Sequence, residues 1–396
     1  MELGIIGKPN VGKSTFFSAS TLAAAEIAAY PFTTIEANRG VAYVRKPCPH
    51  TDFGTQCNPR NSLCDNGTRL IPVEMLDVAG LVPDAYTGKG LGNKFLDDLS
   101  RASSLIHVID ASGATDAEGN IVPPGTRDPV LDIEFMEREI ALWIKGIIEK
   151  GFQKIARQAQ LEGMKIERAL HERLTGLGIK EAEIHRALHN LDVPEDALKW
   201  SDEDMEKVAF AIREESKPII IAANKADAAS DEVMERLLAL KGKTVIPTCA
   251  ECELALRRAD KAGLIRYTVG SPSFEILQPE KLSEGQKKAL HRIQEFMDRF
   301  GDTGVQMAIE TAIFDILDLI AVYPVEDENH LTDKEGRVLP DAYLVPKGTN
   351  AKDLAYIVHT DLGDNFIRAI DARTKRVIGH DHELKDGDVI TIVART

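Results

Sequence analysis

The chain has 396 residues, 43% hydrophobic and 28% charged, a globular balance long enough for two or three domains. Its 63 acidic residues outnumber 48 basic ones, and the formal net charge of −15 disfavours bulk nucleic-acid binding, which depends on Lys and Arg. No long uncharged apolar run marks a membrane span, the first residues lack a signal-peptide pattern, and five cysteines are too few for a disulfide framework, so a soluble protein of a reducing cytoplasm is expected.

Residues 3–6 read as a short buried strand, and 16–26 as an apolar helix. Between them lies Gly7-Lys8-Pro9-Asn10-Val11-Gly12-Lys13-Ser14-Thr15. This is G-x-x-x-x-G-K-S in the strand–loop–helix setting that phosphate binding needs. The glycines let backbone N–H groups turn inward around phosphates, and the helix N-terminus adds positive potential. Lys13 is expected to reach the β- and γ-phosphates and Ser14 to ligate Mg²⁺. In Tyr30-Pro31-Phe32-Thr33-Thr34, Thr34 is placed to be the switch threonine that coordinates Mg²⁺ only with triphosphate, with Thr33 as the fallback.

A loop between Val41 and Ile71 follows, expected at the tip of a hairpin with strands at 40–45 and 70–76. It contains Cys48, His50, Cys57 and Cys64, which could supply four zinc ligands. The spacing is not the paired C-x-x-C arrangement, and a loop with reduced thiols is the favoured alternative.

Residues 73–80 read as a strand ending in D-x-x-G, with Asp77 placed to hold Mg²⁺ and Gly80 to sense the γ-phosphate. Leu81 stands where many related hydrolases have a glutamine that orients water, so unassisted hydrolysis should be slow. The strand at 104–110 carries His107, read as a core histidine. From 132 to 212 the pattern is helical: Ile133, Met136, Ile140, Trp143, Ile144 and Ile147 form one apolar stripe, and a second helix is expected over 152–174. On that second helix Lys150, Lys154, Arg157, Lys165 and Arg168 share the face opposite the apolar one, a candidate contact for RNA or a ribosome or simply a solvated face. Segment 145–173 has seven basic residues against four acidic ones in an otherwise acidic chain.

Residues 218–223 form a continuous apolar run, as in a parallel strand covered on both faces. The run ends in Asn224-Lys225-Ala226-Asp227, the N-K-x-D of guanine-specific hydrolases. The Asp227 carboxylate can accept hydrogen bonds from guanine N1–H and the N2 amine, a donor pair that adenine lacks. After the next strand, Cys249-Ala250 stands where such proteins carry Ser-Ala-Lys, with Ala250 N–H as a base donor and Glu251 departing from Lys. Helix is expected from 283 to 318 with a break at 301–304. The remaining 80 or so residues alternate as strand–strand–helix–strands, which suggests a β-grasp fold. The chain ends without the Gly-Gly of a sulfur carrier, and His359, His380 and His382 read as surface or packing residues.

The combination of GKPNVGKST, YPFTTIEANRG, DVAGLVPDAYTGKGLGNKFLDDL, NKAD and the C-terminal β-rich unit resembles the Obg-related GTPases, nearest to the YchF/Obg-like ATPase branch, over nearly the whole chain. The resemblance implies an α/β architecture: a P-loop G domain with a doubly wound, mainly parallel sheet (1–131 and 213–318), an inserted helical hairpin (132–212) and a TGS-like β-grasp domain (319–396). It also implies a role in translation, ribosome or RNA contacts through the insertion and the TGS-like domain, and K⁺ bound with help from Asn10. ATP-preferring YchF members lack a proper N-K-x-D, so the intact motif here points to GTP and GDP, with ATP as the alternative. The expected catalytic set is Lys13, Thr34 and Gly80. The nucleotide set is residues 7–15 with Asn224, Lys225, Asp227, Cys249 and Ala250, and the Mg²⁺ set is Ser14, Thr34 and Asp77. A monomer is expected. The competing class is a nucleotide-gated ribosome- or RNA-binding protein with negligible hydrolysis.

Overall fold

The computed structural model describes residues 1–26, 38–78, 98–189 and 191–395. Strand β1 (Glu2–Ile6) is apolar and almost wholly buried, as a central parallel strand must be. It leads through the loop into α1 (Lys13–Glu26). β2 (Arg39–Pro47), β3 (Leu63–Asp65), β4 (Thr68–Asp77), β5 (Ala102–Asp110), β6 (Ile219–Asn224) and β7 (Thr244–Pro247) complete the sheet. Its order is β2-β4-β1-β5-β6-β7, with β3 antiparallel on β4. β4, β1, β5, β6 and β7 run parallel, so the loops after all five leave from one edge, where such sheets bind ligands.

The helical stretch differs from the expected hairpin. Among the described residues it forms five α-helices: α2 (Val130–Glu149), α3 (Phe152–Glu162), α4 (Ile166–Leu174), α5 (Glu181–His189) and α6 (Asp202–Ser216). The helix expected over 152–174 is broken because Gly163 adopts the left-handed conformation (φ 64°), ending α3 with its N–H on the Ala159 and Gln160 carbonyls. Nor is the stretch a separate arm. Met136, Ile140, Trp143, Ile144 and Ile148 of α2 join Ile6, Leu76, Val78 and Leu105 of the sheet in one core, and the Phe152 ring stacks on Trp200 at 5.3 Å. The apolar stripe of α2 buries as expected, because it faces this sheet.

Beyond β6 lie α7 (Asp231–Leu238), α8 (Ala250–Lys261), the short ladder of β8 (Ile265–Arg266) and β9 (Glu275–Ile276), α9 (Glu284–Phe300) and α10 (Val305–Glu310). Gly301 ends α9, so the expected helix break is where Gly301-Asp302-Thr303-Gly304 placed it.

The C-terminal sheet is ordered β11-β10-β14-β12-β13. Its strands are β10 (Leu319–Val325), β11 (Tyr343–Pro346), β12 (Phe366–Asp371), β13 (Arg376–Ile378) and β14 (Val389–Ala394). β10 and β14 pair in parallel, and α11 (Ala351–Val358) with the short α12 (Thr360–Asp364) supplies the helical part. Ile320, Val322, Val345, Leu354, Ala369 and Ile390 form its core. This is the β-grasp arrangement.

The chain divides into two compact units: Met1–Ala25, Ile35–Gly40 and Glu74–Ile309 in the first, Glu26–Thr34, Val41–Val73 and Glu310–Thr396 in the second. Residues 132–212 fall in the first unit, with the segments on either side of them. Residues 41–73 belong with the C-terminal part because Asn58, Arg60 and Asn61 bond the segment around Val338–Ala342.

Candidate nucleotide-binding site

The loop after β1 is shaped by close backbone approaches. Gly7 (φ 153°) and Gly12 (φ 95°) leave no room for a side chain: a Cβ would lie 2.5 Å from the Val108 carbonyl oxygen at the first and 2.2 Å from Asn224 Nδ2 at the second. Asn10 also takes a positive φ of 63°, a conformation that asparagine tolerates. Its amide Nδ2 donates to the Gly119 carbonyl at 2.9 Å, which makes Asn10 a bonded turn residue of the loop. Lys13 Nζ donates to Asp77 Oδ1 at 2.5 Å and to the Val78 carbonyl at 2.7 Å, so the lysine expected to meet phosphate and the aspartate expected to hold Mg²⁺ adjoin. Ser14 at the first turn of α1 and Asp77 at the end of β4 supply a hydroxyl and a carboxylate, the hard oxygen donors that suit Mg²⁺.

Lys8, grouped with the nucleotide residues, is 6% exposed, and its side chain is taken up by protein partners. It donates to the Thr115 and Asp116 carbonyls and pairs with Asp132 Oδ2 at 2.7 Å, while Arg127 holds the other Asp132 oxygen. Segment 112–128 therefore braces the phosphate loop, a role the sequence reading missed. Gly119 (φ 86°) was the available signal, since a Cβ there would meet the Pro9 carbonyl oxygen at 2.7 Å. His107 is buried in β5 as expected. Burial, with the nearby Lys8 charge adding to it, pushes its pKa down to about 3 and keeps the ring neutral.

The base-reading end is a set of cross-braces. Asn224 is 4% exposed; its Nδ2 donates to the Val11 carbonyl (2.8 Å) and its Oδ1 accepts from Ala250 N (3.0 Å). One side chain thus joins the phosphate loop to the start of α8. The Ala250 N–H expected for the base is bonded to Asn224 here. Lys225 (φ 57°) spans from the Asn10 carbonyl to buried Asp110 Oδ2, and Asp227 is exposed just beyond. Cys249 N donates to the Thr303 carbonyl. Below it, buried Glu253 accepts from Thr303 Oγ1, the Tyr267 hydroxyl and Arg257, a support that no motif announced. Burial and the Glu253 carboxylate push the Tyr267 hydroxyl well above its ordinary value.

Cys48, Cys57 and Cys64 are free thiols, whereas Cys249 and Cys252 form a disulfide that the sequence reading did not foresee. Their C-x-x-C spacing at the start of α8 brings the Cα atoms to 5.2 Å, within the bridging range. That spacing was the overlooked signal. Cys48, His50, Cys57 and Cys64 converge in the second unit. Lys150, Lys154, Arg157, Lys165 and Arg168 are all exposed, but the break at Gly163 distributes them over two helices and their flanks. Thr33, Thr34, Gly80 and Leu81 lie outside the described residues.

Three family descriptions match the chain. "50S ribosome-binding GTPase" matches residues 2–131, "Obg-like GTPase YGR210-like, G4 motif-containing domain" matches 222–327, and "TGS domain" matches 330–394. A GTP-binding protein of Methanocaldococcus jannaschii is 53% identical over 394 residues, 99% of this chain and 98% of the relative. The ribosome-binding ATPase YchF of Bacillus subtilis is 29% identical, with 98% of each chain covered. A crystal structure of a GTP-binding protein from Pyrococcus horikoshii is 46% identical with a TM-score of 0.80, and each chain is covered in full. The Schizosaccharomyces pombe YchF GTPase shares the fold at 20% identity and a TM-score of 0.58.

Proposed function

The chain belongs to the Obg-related GTP-binding proteins, in the branch that includes YchF, and from that premise we propose that it is a Mg²⁺-dependent molecular switch that binds GTP, hydrolyses it slowly and acts on the ribosome. The observation that carries the base assignment is Asn224-Lys225-Ala226-Asp227 at the C-terminal end of β6, with Asn224 and Lys225 locked to the phosphate loop and Asp227 left exposed beside it. A carboxylate there rewards the two donors of guanine and repels the acceptor edge of adenine. The 53% identical relative is named a GTP-binding protein, in keeping with this reading; the bacterial relatives named ATPases that align over nearly the whole chain are 27–29% identical.

Lys13 and the loop amides neutralise the phosphates, while Ser14, Thr34 and Asp77 organise Mg²⁺. Gly80 senses the γ-phosphate. The chemistry is phosphoryl transfer to water, for which no covalent residue is needed. With Leu81 unable to orient water, turnover is slow until K⁺ or a partner adds positive charge. Asn10 already spends its side-chain N–H on Gly119, and its backbone carbonyl accepts from Lys225, which leaves the side-chain Oδ1 as the cation ligand in this reading. No helix among the described residues is long and apolar enough to cross a membrane. The reading puts its action in the cytoplasm, as a monomer.

Two experiments test the proposal. GTP and ATP affinities of the purified chain should favour GTP, and a tighter ATP complex contradicts the guanine reading. Co-sedimentation with ribosomal subunits should be stronger with a non-hydrolysable GTP analogue than with GDP. Reversing the charge of Lys154, Arg157 and Lys165 should weaken it and flatten its salt dependence. Equal pelleting in all states contradicts ribosome switching.

A further inference from the structure

The second unit contains a cluster that nucleotide binding does not use. Cys48 follows the end of β2 and precedes a short 3₁₀ turn, Pro49–Thr51, which carries His50. Cys64 lies in β3, and Cys57 comes from the loop between them. An Asn66-Gly67 turn (φ 46° and 86°) folds β3 back onto β4, and Gly67 accepts from Cys48 N at 2.7 Å. These tethers bring three sulfurs and one imidazole nitrogen within 4.8 Å of one another.

The separations are those of a tetrahedron's edges. Cys48 Sγ and Cys57 Sγ are 3.8 Å apart, and His50 Nδ1 lies 3.3 Å from Cys57 Sγ and 3.5 Å from Cys64 Sγ. Zinc with sulfur at about 2.3 Å and nitrogen at about 2.05 Å would put S···S at about 3.8 Å and S···N at about 3.6 Å. Cys48 is buried, whereas Cys57 and Cys64 are half-buried, so an ion can reach the cluster.

A second observation points the same way. Arg69, paired in register with Cys64, is 0% exposed, and its Nη2 donates to the Leu339 carbonyl. Its Nε and Nη1 have no hydrogen-bond partner among the described residues, and the group that faces the guanidinium is the Tyr323 ring, with its centroid at 5.4 Å, which is no anion. Burying such a cation without compensation is costly. Three thiolates around a divalent ion carry a single net negative charge, which the guanidinium would offset.

We propose that Cys48, His50, Cys57 and Cys64 form a structural zinc site. Four protein ligands close the coordination shell, so the ion is a staple and no part of hydrolysis. It fixes the loop whose Asn58, Arg60 and Asn61 bond the backbone and Asp341 side chain of the Val338–Ala342 segment. Zinc loss therefore loosens that segment as well.

Full-length protein, purified without a histidine tag under reducing conditions and dialysed, should retain one zinc per chain by elemental analysis. Added Co²⁺ should give the thiolate charge-transfer and tetrahedral d–d absorption of a sulfur-rich site. Cys57→Ser and Cys64→Ser should lose the metal, and Cys252→Ser should keep it. The wild type offers a measurement independent of whether the variants fold: zinc should protect Cys48, Cys57 and Cys64 from alkylation, and a chelator should expose them. Absence of bound metal, iron in place of zinc, retention of zinc in both ligand variants, or alkylation indifferent to zinc would each overturn the assignment.

Discussion

The phosphate loop and the cysteine cluster solve opposite problems. Around the phosphate loop the polar side chains brace one another: Lys13 on Asp77, Asn10 on Gly119, Lys8 on Asp132, Asn224 on Val11 and Ala250, Lys225 on Asp110. The scaffold is set by protein–protein bonds, and the loop amides with Asp227 remain to meet a ligand. In the cysteine cluster the soft donors face one another and a buried guanidinium stands nearby with two unpartnered nitrogens. One site is built to exchange its ligand; the other is geometrically complete around an ion it would keep.

Substitutions can break or sharpen that contrast. The largest effect is expected from Lys13→Ala. It removes the cation proposed to meet the β- and γ-phosphates, and turnover should fall by roughly a hundredfold or more in a steady-state phosphate-release assay. Unchanged turnover would show that the activity comes from elsewhere. Asn224→Ala should come next, because it deletes two buried hydrogen bonds and leaves the Val11 carbonyl and Ala250 N–H unpaired. Denaturant unfolding should show a loss of about 2 kcal/mol, and GTP affinity should fall with it. If stability held and affinity alone fell, Asn224 would be a base reader and no brace.

An effect confined to acid pH tests the packing beside the loop. His107 titrates at about 3 in the fold against about 6.5 in an unfolded chain, so the unfolded state binds more protons between those values. Stability should therefore fall as pH drops below about 6.5, by about 1.4 kcal/mol per pH unit until it levels near pH 3. His107→Leu should remove that slope, as measured by unfolding midpoints across the range. The same acid sensitivity in the variant would place its source in other groups. The smallest effect belongs to the exposed Arg186–Glu215 pair on the helical stretch, where a double-mutant cycle should give a coupling below about 1 kcal/mol.

How far the sequence anticipated all this depends on the range over which each constraint acts. The phosphate loop and N-K-x-D were legible because contiguous residue types dictate a local backbone: Gly7 and Gly12 for close approach, Asn224 and Asp227 at a strand end. The β-grasp was legible from alternation and helix placement, and the α2 stripe from its period. Contacts across more than a hundred residues were not, as with Lys8 reaching Thr115 and Asp116 or Lys225 reaching Asp110. The break in the expected 152–174 helix had a local sign in Gly163, outweighed by the apolar period on either side. The convergence of Cys48, His50, Cys57 and Cys64 was open from spacing alone. The turn at Asn66-Gly67 and the pairing of β3 with β4 close that distance.

Everything functional here rests on Asp227 reading guanine. Competition titration of GTP, ATP and xanthosine triphosphate against the wild type and Asp227→Asn tests it most directly. An amide at that position presents a donor where guanine also has a donor, and xanthine has a carbonyl there. The account predicts that the wild type prefers GTP, that Asp227→Asn loses roughly tenfold or more in GTP affinity and that it gains in affinity for xanthosine triphosphate. A wild type that prefers ATP, or a GTP affinity unchanged in Asp227→Asn, would contradict it.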